Sequence, residues 1–211
     1  MLKMLGAMAE GSVVSLEVFF LTLVVALPLA LPIALGRMSS SRLVRGPVHA
    51  YVLVMRGTPL ILQLLFVYFA PYYLFEASYD RFTAAVVAFA INYAAYFAEI
   101  YRGGIQSIPK GQYEAAKVLG FSRVDTFFRI VLPQVVKRIL PATANEVITL
   151  VKDTALAQTI GVAELFRVAQ NASARQFSTT PIFIAGAFYF VMNWAVSELF
   201  LRLERKLAYY H

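Results

Sequence analysis

Apolar residues in this chain gather into runs of about 20, the length that carries a helix across roughly 30 Å of hydrocarbon. Five such runs read as spans, at about 12–36, 56–75, 82–101, 140–161 and 181–201. In lipid every backbone donor and acceptor must be satisfied within the protein, so a chain of this kind folds as an all-α membrane protein. Composition agrees: 60% hydrophobic and 15% charged residues, with a mean hydropathy of +0.67, lie outside the soluble range. One stretch interrupts the pattern. Residues 107–133 are polar, helix-forming and rich in Lys and Arg, and they lie between the third and fourth spans.

An odd number of spans puts the termini on opposite sides. Placing residues 107–133 in the cytoplasm sets the N-terminus outside and the C-terminus inside. Fourteen Lys and Arg then fall in the inside segments, Arg37, Arg42, Arg45 and Arg56 among them, against Lys3, Arg81, Arg167 and Arg175 outside. That asymmetry obeys the positive-inside rule. It also accounts for the net charge of +7 without nucleic acid, because the basic residues flank apolar runs rather than covering one face. The first apolar run lacks a basic region and an A-x-A site, so it reads as a retained helix rather than a cleaved signal. There is no cysteine, hence no disulfide framework, and His49 and His211 are too far apart to form a metal site by local spacing.

Within the spans, Pro28 and Pro32 share a helical face and predict a kink or curve. Span two opens with Arg56-Gly57-Thr58-Pro59, an interruption that sets the arginine at the cytoplasmic interface. It ends in Tyr68, Phe69, Tyr72, Tyr73 and Phe75, which read as an interfacial aromatic belt. Span four is unusually charged, with Asn145, Glu146, Lys152 and Asp153 in or near it. A charge at the bilayer centre costs about 2.5–3.5 kcal/mol on the lenient insertion scale, so these side chains should face protein or water. Span three adds the stripe Asn92, Tyr96, Glu99 and Arg102, at spacings of four, three and three.

Two readings of this polar set stay open. One is a solute path, with carboxylates for an ammonium group and donors for a carboxylate. The other is structural: Glu99 and Arg102 as a local ion pair, and Lys152 paired with an acid on another helix. Glu17, Asn193 and Glu198 are lone polar groups expected to hydrogen-bond between helices. Residues 164–180 form a polar outer segment rich in Gln, Asn, Ser and Thr.

The polar loop carries Glu114-Ala115-Ala116, then Gly120 after three residues, then Ile130-x-Leu132-Pro133 after nine more. Seven positions at this spacing resemble the coupling loop of permease subunits of ATP-binding-cassette (ABC) importers, which docks on a separate ATPase. The resemblance reaches from about residue 12 to 207. Arg56-Gly57-Thr58-Pro59-Leu60 with Gln63-Leu64, Asn92-Tyr93-Ala94-Ala95-Tyr96 through Gln106, Asn145-Glu146 and Lys152-Asp153-Thr154-Ala155-Leu156 are similar to permeases of the polar amino acid uptake family. Thr154-Ala155-Leu156 departs from that family's more usual Ser before Leu.

The resemblance implies one transmembrane domain of type I importer fold over residues 1–211, with five transmembrane helices and a cytoplasmic coupling helix in the loop at 107–133. Glu114, Ala115, Ala116, Gly120, Leu132 and Pro133 would serve ATPase coupling, the two alanines being small enough for close approach. Asn92, Tyr96, Glu99, Glu146, Lys152 and Asp153 would line the substrate path. The implied partners are an ATPase dimer, a second permease subunit (this chain or a paralogue) and an external solute-binding protein. The implied location is a bacterial cytoplasmic membrane.

The chain has no phosphate-binding loop of the Gly-x-x-x-x-Gly-Lys-Ser/Thr type, so ATP and magnesium belong to the partner and the chain is not itself an enzyme. The expected function is uptake of a polar amino acid, with the excess of acids over bases in the polar set leaning toward a cationic one. Opines or another small polar solute are the alternative. A passive channel or membrane scaffold is a third, but neither accounts for both a docking helix and mid-span charges. No H-E-x-x-H or G-x-S-x-G motif supports an intramembrane enzyme.

Overall fold

In a computed structural model the described residues, 2–207, form nine α-helices with one π-helical and one 3₁₀ segment and no strand. His211 lies outside the described residues. The helices are α1 (Leu2–Met38), α2 (Arg42–Gly57), α3 (Leu60–Phe75), α4 (Arg81–Gln106), α5 (Lys110–Val118), α6 (Arg123–Asp125), α7 (Leu132–Asp153), α8 (Leu165–Gln176) and α9 (Thr180–Leu207). A π-helical turn, Thr126–Val131, leads into α7, and a 3₁₀ segment, Thr154–Ile160, leaves it.

The centre is the pairing of α1 with α4, the most extensive helix contact. Lipid tails are as apolar as leucine, so helices associate in a membrane where small residues let backbones approach. On α1, Val18, Thr22, Ala26, Ala30 and Ala34 recur every fourth position and are all buried. Ala84, Ala85, Ala88, Ala94 and Ala98 do the same for α4, with Phe89, Tyr93 and Phe97 filling the remaining volume. Pro28 and Pro32 are exposed and lie off that face, and α1 stays helical through both. At the start of α4, Asp80 accepts from the Thr83 N–H at 3.0 Å, and this bonding holds its carboxyl below the usual carboxylate range.

Three helices are individually long and apolar enough to cross a membrane: α1, α4 and α9. A fourth counts if α2 and α3, bent by 112°, are one broken span. The spans anticipated at 56–75 and 140–161 therefore differ in detail. The first is preceded by a separate helix, α2, and broken at Thr58-Pro59, because the residue before a proline is driven out of the α region. The second is the latter part of α7 running into the 3₁₀ segment, and its charges keep it out of the apolar class.

The outer polar segment is helical as α8. Buried Glu164 caps it, accepting from the N–H groups of Phe166 and Arg167, both at 2.7 Å, and from the Tyr189 hydroxyl at 2.9 Å. Ser15 of α1 lies 3.5 Å from the same carboxylate, so one buried group ties α8 to α1 and α9. The inter-helix bonds anticipated for α9 are absent among the described residues. Glu198 pairs with Arg202 one turn on, at 2.8 Å, and Asn193 donates to the Tyr189 carbonyl at 2.9 Å. The reason is that α9 buries little of its surface and offers these groups few neighbours. Glu17 is exposed on the outward face of α1.

Near its end α4 meets α7 at Gly104, which is buried. A Cβ there would lie 2.2 Å from Cγ2 of Ile139, a β-branched side chain with little rotamer freedom in a helix. Gly104→Ala should cost about 1–3 kcal/mol by overpacking. Gly103, with open space around it, should tolerate alanine or gain up to about 1 kcal/mol from helix propensity. Thermal unfolding of the two purified variants in detergent checks this. Equal midpoints would mean the α4–α7 contact is looser than the geometry requires.

Candidate functional site

Two features stand out: the surface around α5, and a polar seam between α4 and α7. Pro109 precedes α5 and Gly120 follows it at φ +80°. The Gly120 N–H donates to the Lys117 carbonyl at 3.1 Å and the Phe121 N–H to the Ala116 carbonyl at 3.0 Å, the paired bonds of a Schellman stop. A Cβ on Gly120 would meet nothing within 4 Å, so glycine is needed for its backbone conformation and not for space.

The coupling residues divide into three roles. Glu114 and Ala115 are exposed on α5. Ala116 turns inward and is 1% exposed, so its small size serves packing within the chain rather than close approach of a partner. Leu132 and Pro133 lie behind the loop at the start of α7. The π turn just before Pro133 suits a residue whose ring would clash with the carbonyl four positions back in a regular helix. Below the loop Ile108, Val131 and Val135 form a small buried cluster. Arg138 donates to the Ser107 carbonyl and, at 3.1 Å, lies against the Ser107 hydroxyl, fixing the loop's first residue to α7. Val118, Leu119, Val124 and Phe128 are left exposed beside Glu114 and Ala115. Such an apolar patch rimmed by charge is what a soluble partner covers.

The seam begins at the α2–α3 break. There the Met55 carbonyl, orphaned at the end of α2, accepts from Gln63 Nε2 and from Asn92 Nδ2, each at 3.0 Å. Asn92 Nδ2 also donates to Gln63 Oε1 at 2.9 Å, and Gln63 Nε2 to the Thr58 hydroxyl at 2.8 Å. Asn92 is thus committed to the break. Gln63 was quoted in the sequence motif without a role, and its role is this latch.

Further along α4, Glu99 holds Arg102 at 2.7 Å and Arg37 of α1 at 3.0 Å, with Arg56 of α2 at 3.8 Å. The local Glu99–Arg102 pair is present and extends to two other helices. The Arg56 guanidinium stands 5.2 Å from the centre of the Tyr96 ring. Opposite, Asp153 accepts from the buried Tyr93 hydroxyl at 2.8 Å. Glu146 is half-buried and has no hydrogen-bond or ion-pair partner among the described residues. Asn145 is exposed. Lys152 points elsewhere: it is exposed and borders a cavity of about 340 Å³ with Ala155, Phe166, Ile182, Gly186 and Tyr189. The structure therefore brings Tyr96, Glu99, Glu146 and Asp153 to one seam with Arg56 and Tyr93, and sets Asn92 behind it and Lys152 outside it. Tyr93 and Arg37 were missed as site residues because an isolated tyrosine and an end-of-span arginine carry no sequence signal of their partners.

The chain matches the family model described as binding-protein-dependent transport system inner membrane component over residues 26–209. It is 40% identical to the L-cystine transport system permease protein TcyB of Bacillus subtilis, over 96% of this chain and 87% of that protein. It is 39% identical to the arginine transport system permease protein ArtQ of the same species (94% and 91%). It is 37% identical to the octopine transport system permease protein OccM of Rhizobium radiobacter (94% and 84%). Among solved structures, an amino acid ABC transporter crystallised with histidines superposes with a TM-score of 0.90 at 38% identity, over 98% of this chain and 96% of that one. The MetNI methionine ABC transporter matches in fold, at a TM-score of 0.76 and 19% identity over 97% and 95% of the two chains. On the extent of these matches, the chain belongs to the family of binding-protein-dependent transport system inner membrane components.

Proposed function

We infer that this chain is the permease subunit of an ABC importer that carries a polar amino acid across a bacterial cytoplasmic membrane. The observation that carries the reading is the α5 surface: an exposed Glu114-Ala115 face, stopped at Gly120 and anchored to α7, with apolar residues left uncovered beside it. A partner ATPase docks there, two permease subunits enclose the path, and an external binding protein delivers solute. The distribution of Lys and Arg supports an N-terminus outside and a C-terminus in the cytoplasm.

The solute class rests on the seam. Glu99 is neutralised by its arginines, but Glu146 and Asp153 have no cation bonded to them among the described residues. An arginine permease among the relatives fits a cationic amino acid. Octopine and nopaline permeases among them favour opines as the second reading.

Three outcomes test this. Glu114→Lys reverses the charge on the docking face, and Gly120→Val forces a β-branched residue into a left-handed conformation at a cost of about 1–2 kcal/mol. Each should lower uptake by about tenfold or more, a loss of at least about 1.4 kcal/mol in coupling, while the subunit still inserts at normal abundance. Parental uptake by either variant would sink the coupling role.

Purified alone, the permease should neither bind nor hydrolyse ATP. Solute-stimulated hydrolysis should need both the ATPase subunit and the loaded binding protein. Micromolar nucleotide binding by the permease alone would count directly against the account.

Glu146→Gln should reduce uptake of cationic amino acids more than of neutral ones, with binding-protein affinity unchanged. Radiolabelled uptake in cells or proteoliposomes reads the difference. Equal loss for both would make Glu146 a structural or gating group.

A further inference from the structure

Three arginines surround Glu99, and they are not equivalent. Arg37 and Arg102 hydrogen-bond its carboxylate, and their side chains are 16% and 28% exposed. Arg56 approaches only to 3.8 Å, makes no hydrogen bond among the described residues, and is 44% exposed. One carboxylate already satisfied by two guanidinium groups leaves the third as surplus positive charge. That charge comes at the end of α2, where the helix breaks against α4. The break lies well inside the span: Asn92, which holds it, is about 16 Å along α4 from its first residue at 1.5 Å per residue.

The Arg56 guanidinium itself reaches Glu99, about 27 Å along α4 from its first residue and inside the span read at 82–101, so the arginine that the sequence sets at the cytoplasmic interface lies further in, where an ionised side chain faces water or a ligand. Two further observations say what kind of ligand. The Tyr96 ring lies 5.2 Å from the Arg56 guanidinium carbon and supports its position on one side. Glu146 of α7 has no bonded partner of its own and lies within electrostatic reach of Arg56. The seam thus holds a cation with donors to spare and, on α7, a carboxylate with acceptors to spare.

We propose that Arg56 is a specificity-determining residue of the solute path, which takes the carboxylate of the amino acid in transit while Glu146 faces the solute's cationic end. The inference rests on the reading of this chain as an amino acid permease. Arginine suits the role because its planar fork matches a carboxylate with two parallel hydrogen bonds, which a lysine ammonium does not reproduce. Glu99 keeps Arg37 and Arg102 when Arg56 swings to the solute, so no carboxylate is left without a cation. The ring of Tyr96 guides the guanidinium between the two positions.

The test uses the permease–ATPase complex without binding protein, so that selectivity belongs to the membrane domain alone. Radiolabelled L-arginine is the probe, displaced by unlabelled L-arginine or by L-argininamide, which keeps both cationic groups and lacks the carboxylate. The wild type should bind argininamide about tenfold more weakly than arginine. In Arg56→Gln, arginine binding should fall to the level of argininamide, whose own binding stays as in the wild type. Arg56→Lys should lie between the two and reports on the fork geometry should the glutamine variant fail to assemble. A structural role would lower both ligands together, and that outcome overturns the inference. So does wild-type discrimination surviving in either variant, or a wild-type complex that binds no arginine or does not tell the two apart. Uptake by the complete importer separates the two levels: no import of any polar amino acid fails the permease reading, whereas import with unchanged Arg56 selectivity fails only this inference.

Discussion

A helix that stops inside a membrane leaves carbonyls without donors, and there is no water in hydrocarbon to supply them. The break between α2 and α3 poses this problem. The Thr58 N–H and hydroxyl satisfy Val54, while the side-chain amides of Gln63 and Asn92 satisfy Met55. An unpaired buried carbonyl would cost about 1–3 kcal/mol, so the two amides are what permit the chain to turn by 112° at this depth. The place of Arg56 in the polar seam follows from that turn. It ends α2 at Gly57, just past Arg56, whose guanidinium stands over Tyr96. A continuous helix through residues 42–75 would carry Arg56 past α4 with no such meeting.

Small side chains on α1 and α4 are the second half of the arrangement. With alanines at every fourth position of α1, the two backbones come close enough for Arg37 at the end of α1 to reach Glu99 on α4 at 3.0 Å. Bulkier residues there would separate the helices and leave Glu99 with fewer cations. The charge state of the seam is therefore set by packing some turns away from it.

Much of this was legible in residue order. The loop's spacing located α5, and Gly120 marked its end, because a positive φ after a polar helix is a local property that glycine advertises. The stripe Asn92, Tyr96, Glu99, Arg102 was readable from 3.6-residue periodicity. What each member touches was not, because partners such as Arg37, 62 residues from Glu99, are fixed by tertiary packing. Asn92 looks the same in sequence whether it meets a solute or caps a broken helix. Ala116 looks the same whether it faces a partner or the chain's own core. Lys152 and Asp153 are adjacent in sequence, but neighbouring helical residues point about 100° apart, and the structure sends them to different surfaces. The helix at α8 was unread because its start and cap depend on Glu164, whose four contacts come from three separate elements.

The two functional features share one element. α7 begins behind the α5 surface, where Val135 joins the cluster beneath it, and ends at Asp153 in the seam, 21 residues on and about 32 Å away. Between them lies the contact of Ile139 with Gly104, too tight for even a methyl group on the glycine. Close-packed interfaces of this kind do not deform smoothly; they hold or they shift as units. Movement of α5 that preserves the Ser107–Arg138 tie and the packing of Val131 and Val135 must carry α7 with it, pivoting where α4 and α7 are closest. Glu146 and Asp153 belong to α7, whereas Arg56 and Tyr93 belong to α2 and α4. A shift of α7 against α4 therefore changes the spacing between the Glu146 carboxylate and the Arg56 guanidinium, and links the seam to the α5 surface at the other end of α7.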